Sequence, residues 1–78
     1  MATSYRMELS RPGRPTVEDL LGPWTAKTAV AWVARESGKM GAGARVKILR
    51  QRGTGPALVW RAYVVDWQGV AWEIGLRG

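Results

Sequence analysis

Residues 45–76 read RVKILRQR-GTGPA-LVWRAYVVD-WQG-VAWEIGL, and the way these runs line up decides the fold. Each run is rich in valine, isoleucine, leucine, tryptophan or tyrosine, and each is bounded by a glycine-bearing turn. The pattern predicts a meander of three strands: Arg45–Arg52, Leu58–Asp66 and Val70–Leu76. Trp67-Gln68-Gly69 fits a three-residue hairpin loop with Gly69 in the left-handed position. Pairing Arg52 with Leu58, and Asp66 with Val70, gathers Val46, Ile48, Leu58, Trp60, Ala62, Val64, Trp72, Ile74 and Leu76 on one face. A slip of one residue in either hairpin breaks that set. This face is expected to be the core. The opposite face then carries Arg45, Lys47, Leu49, Val59, Arg61, Tyr63, Val65 and Glu73.

Working outward, Lys39–Ala44 is a glycine-rich loop, and before it lies the one clear helix. Thr25 is a good N-cap. Ala26, Ala29, Val30 and Val33 recur at helical spacing, and Gly38 suits a left-handed C-cap, so the helix is expected over Ala26–Ser37. Gly22-Pro23-Trp24-Thr25, with Ala29 and Trp32 beyond it, is similar over about fifteen residues to a strand-to-helix junction of sporulation-related peptidoglycan-binding domains. The chain then departs, because no second helix follows the later strands and no export signal is read, so the stretch is taken as a packing motif.

Further upstream, Ser4–Ser10 alternates, with Tyr5, Met7 and Leu9 on one side and Arg6 and Glu8 on the other: a half-buried strand. Arg11-Pro12-Gly13-Arg14-Pro15 is a turn. Thr16–Gly22 is either a short helix opened by Thr16 and Asp19 or, the reading favoured, a strand over Val17–Leu21 that closes a hairpin. The expected fold is therefore α+β: two layers, a mostly antiparallel sheet of four or five strands with one helix packed on one face, in a single compact domain over residues 1–78. Trp60 and Trp72 are assigned to the core, Trp32 to its edge, Trp24 to one end of it and Trp67 to an exposed turn.

Composition limits the chemistry. The 78 residues include no cysteine and no histidine, which removes disulfides, the common zinc, haem and iron–sulfur sites, and Ser-His or Cys-His catalysis. The six carboxylates show no spacing of a dyad or metal cluster. Neither an enzyme nor a cofactor is expected. No apolar run approaches the ~20 residues of a membrane span, so a cytoplasmic protein without membrane contact is expected. The net charge of +6 favours a polyanionic partner. Nine of the twelve basic residues are arginine, a bias that a GC-rich coding sequence also produces.

Three motifs are weighed. Ser37–Gly43 lacks the upstream glycine and the Ser or Thr after lysine that a phosphate loop needs, and it follows a helix rather than a strand. Gly13-Arg14-Pro15 resembles the core of an AT-hook, but Pro12 interrupts the extended path such a hook takes in the minor groove. A winged helix-turn-helix of the kind found in small phage excisionases would need Thr16–Leu21 as a very short first helix, and three strands exceed a wing.

One helix covers only one side of a sheet, so the second face must meet water or a partner. The expected function is nucleic-acid binding without catalysis. Arg45, Lys47, Arg61 and Tyr63 are the contacts, helped by Arg11 and Arg14. The alternative is a protein-interaction module of a phage, plasmid or GC-rich bacterium, an inhibitor, adaptor or small regulator that acts on an acidic protein or pairs as a homodimer through the same face. A third reading leaves that face solvated, with a weak Arg61–Glu73 pair.

Overall fold

The computed structural model describes residues 2–17 and 22–75. In chain order the elements are β1 (Thr3–Ser10), α1 (Ala26–Met40), β2 (Arg45–Arg52), β3 (Leu58–Val65) and β4 (Ala71–Glu73). The four strands form one antiparallel sheet in the order β1-β2-β3-β4, with α1 packed on one face. This is the two-layer α+β fold expected from the sequence. The favoured strand over Val17–Leu21 falls largely outside the described residues. What is seen of that segment lies along β1: Val17 and Leu9 exchange two backbone hydrogen bonds of 2.8 Å, and Trp24 bridges Tyr5.

The helix starts where its cap requires. Thr25 Oγ1 accepts from Thr28 N at 3.1 Å, and Thr28 Oγ1 accepts from Thr25 N at 2.9 Å, a capping box with threonine in both places. It ends at Met40, three residues beyond the expected Ser37, with Gly41 as C-cap at φ 92°. The extra turn buries Met40 in the core. Gly38 is therefore inside the helix. It lies against the β3–β4 turn, where a Cβ on Gly69 (φ 81°) would come 3.0 Å from Gly38 Cα.

The core holds Met7 and Leu9 of β1, Val46 and Ile48 of β2, Tyr63 and Val65 of β3, and Ala29, Val33 and Met40 of α1. Here the structure corrects the sequence reading. The β3–β4 hairpin has the expected register, with Tyr63 opposite Glu73 and Asp66 N donating to Val70 O. The β2–β3 register differs. Val46 faces Tyr63 and Ile48 faces Arg61, whereas Leu49 faces Val59. The shift between Ile48 and Leu49 leaves Trp60 as one extra residue on β3, a bulge.

Through that bulge Trp60 and Tyr63, which a regular strand would hold on opposite sides, both reach the helix side. Trp60 packs edge-on against Tyr5 with ring centroids 5.4 Å apart, and Tyr63 fills the centre. Val64, Trp72 and Ile74, expected in the core, lie on the other face, as does Ala62, which is nonetheless buried, and Leu76 lies outside the described residues. Leu58, also expected in the core, is exposed. Two substitutions separate the registers. Val65→Thr places a hydroxyl at a site 1% exposed and is expected to cost about 1–3 kcal/mol, whereas Val64→Thr, on the open face, is expected to cost little. Urea unfolding of the two variants gives the comparison, and the reverse order would reinstate the uninterrupted register.

Candidate binding face of the sheet

The face turned away from α1 is organised in cross-strand rows, because directly paired residues share a side. One row runs Ser10, Arg45, Val64, Trp72. The next runs Glu8, Lys47, Ala62, followed by Ile74, whose N–H donates to Ala62 O at 2.7 Å. A third runs Arg6, Leu49, Val59. Arg45 and Lys47 are both exposed on this face. Two strand spacings, ~10 Å, separate the backbones of Arg45 and Trp72. A shallow hollow of about 260 Å³ beside Arg45 and Lys47 is closed by Glu8, Ser10 and Thr16.

Trp72 is 61% exposed, yet its ring is held. The indole N–H donates to Asp66 Oδ2 at 2.8 Å. The other carboxylate oxygen, Oδ1, accepts from the backbone N–H groups of Gln68 and Val70, each at 2.9 Å. Asp66 thus closes the turn and fixes the tryptophan from one position. These hydrogen bonds, the indole first, hold its carboxyl below the ordinary carboxylate range. A lowered folded-state pKa means that the support is complete above the ordinary range and is lost as the pH falls through the lowered value. The Trp72 indole N–H resonance is therefore expected to titrate below the usual carboxylate range, and Asp66→Asn to abolish that titration. A midpoint at the ordinary value would show that the contact does not form in solution.

The six residues expected to form one site are divided among three places. Arg45 and Lys47 are on the open face. Arg61 and Tyr63 are on the helix side, which corrects their assignment. Tyr63 is buried in the core, and its phenol is pushed above its usual pKa chiefly by burial, then by Glu73, with Arg61 opposing. No base can stack on it there. Arg61 lies over the Trp60 ring at 4.5 Å and pairs with Glu73 at 3.5 Å. Arg11 and Arg14 line a cleft beside the end of α1, also on the helix side. Pro12-Gly13, with Gly13 at φ 71° and Arg14 N donating to Arg11 O at 3.1 Å, makes a tight turn rather than an extended minor-groove arm.

Sequence reasoning missed Trp72 and Asp66. Both follow from the β3–β4 register, which was legible. Only the face that Trp72 joins depended on the bulge.

No protein-family model, no curated protein and no solved structure matches this chain. Among the described residues no helix is long and apolar enough to cross a membrane.

Proposed function

We propose that this protein is a non-catalytic binding module whose open sheet face takes single-stranded nucleic acid. The observation that carries the reading is Trp72: a residue 61% exposed, its ring anchored through its N–H, in the same cross-strand row as Arg45 and one row from Lys47. Arg45 and Lys47 hold phosphates, and Trp72 stacks a base. Anchoring the ring before the ligand arrives lowers the entropy lost on binding. Stacking tolerates every base, so the sequence preference is modest.

A second reading draws on the same face. Leu49, Val59, Val64 and Ile74 give it an apolar centre, which suits an acidic protein or a second copy of this chain. Titration of the tryptophan fluorescence with single-stranded, duplex and poly-glutamate ligands, at two salt concentrations, separates the readings. Two phosphate contacts on a single strand are expected to lower log affinity by about 1.4 per decade of salt, at ~0.7 each. Equal binding to poly-glutamate, or a dimer in sedimentation that excludes oligonucleotide, would transfer the face to the second reading.

A further inference from the structure

On the helix side, independent of the open face, a cleft of about 520 Å³ lies between the 11–17 loop and the last two turns of α1. That volume is in the range of small-molecule sites. Its apolar lining is Leu9, Val17, Trp32 and Met40. Among the described residues its charged lining is unbalanced: Arg11, Arg14 and Lys39 against Glu36. Glu36 is already engaged, with its Oε2 3.7 Å from Lys39 Nζ and 3.8 Å from Arg35 Nε. Arg11 and Arg14, by contrast, both line the cleft from the two ends of the Pro12-Gly13 turn, where Arg14 N donates to Arg11 O at 3.1 Å. Arg11 Nε is buried there without a hydrogen-bond partner. A buried guanidinium donor left unpaired is costly, and a planar anion satisfies it by accepting from Nε and a terminal nitrogen together once the Arg11 side chain turns toward the cleft.

We infer that this cleft binds a small amphipathic anion: a flat apolar body against Trp32 and Met40, with one carboxylate on Arg11 and Arg14. The apolar lining supplies affinity, and the paired arginines select charge and orientation. The feature that sets this cleft apart from an ordinary surface groove is the coincidence of an apolar floor with an unpaired, partly buried cation.

The test is an NMR titration of the whole ¹⁵N-labelled chain with 1-naphthoate, its neutral counterpart 1-naphthamide, and inorganic phosphate. The naphthoate is expected to shift the Trp32 indole and Arg11 Nε–H signals. It should bind at least about ten-fold more tightly than the amide, the ratio expected of one charge-assisted contact. Phosphate alone should leave Trp32 unmoved. Arg11→Gln with Arg14→Gln should remove the ten-fold preference. Equal affinity for acid and amide overturns the proposal, as do shifts centred on Trp72 or an unchanged preference in the double variant. The acid–amide comparison on the unaltered protein decides the matter even where the double variant does not fold.

Discussion

Trp72→Ala is expected to weaken binding of a single-stranded oligonucleotide by roughly 5- to 150-fold, the equivalent of ~1–3 kcal/mol for one lost base stack. The loss should be nearly the same at low and high salt, because stacking releases no counterions. Charge reversal at Arg45 and Lys47 should behave differently, lowering affinity and flattening the salt dependence together. Trp72 has two roles, since its indole N–H also donates to Asp66, so the alanine variant alters the turn as well as the platform. Trp72→Phe separates them. It keeps a ring on the sheet and loses the hydrogen bond, and it is expected to retain most of the affinity if the base stack outweighs the anchoring of the ring. Tyr63→Phe supplies the contrast. That ring is in the core beneath α1, so the substitution should leave affinity unchanged. A Trp72→Ala variant that is folded and binds with undiminished affinity would remove the aromatic platform from the proposal.

Local signals were legible because each is decided within a few residues. Thr25 as N-cap fixes the start of α1, and Trp67-Gln68-Gly69 fixes the β3–β4 register. The clean alternation of Tyr5, Met7 and Leu9 fixes the inward face of β1. The β2–β3 register is a different kind of problem. Residues 58–65, LVWRAYVV, are apolar on both sides of the strand, so the period-two pattern does not say which side is buried. A regular ladder then favours the choice that aligns the most apolar residues, and that choice sent Tyr63 outward. The bulge at Trp60 resolves the conflict by giving both large rings to the helix side, but its gain comes from contacts with Tyr5, Met7 and Leu9, about fifty residues away in sequence. Nothing within β3 encodes it. The candidate site inherited the same error. Arg45 and Lys47, on the strand read correctly, kept their place, while the aromatic partner passed from Tyr63 to Trp72. The end of the helix follows the same logic: Gly38 signals a stop locally, but burial of Met40 carries the helix past it.

Ile48→Ala is expected to have the largest effect on stability, about 2–5 kcal/mol. Ile48 has no exposed surface and sits opposite Met7 on β1 and Arg61 on β3, immediately before the bulge. The surrounding groups have little freedom to fill the space it would leave. Met7 and Val46 are also fully buried, and the bulged backbone at Trp60 is held by the packing of that ring on Tyr5. A chain of this length has a total stability of roughly 4–12 kcal/mol, so the variant is expected to lose a large share of its margin and to populate the unfolded state at mild temperatures. There is no disulfide to offset the loss, because the chain has no cysteine. Urea unfolding followed by tryptophan fluorescence measures the effect. Leu58→Ala is the matched control: the same strand system, a similar volume removed, but a side chain 64% exposed, so its cost should be small. Similar losses for the two substitutions would mean that Leu58 is buried in solution, and with it that the ladder between β2 and β3 runs without the bulge on which the whole placement of Trp72 depends.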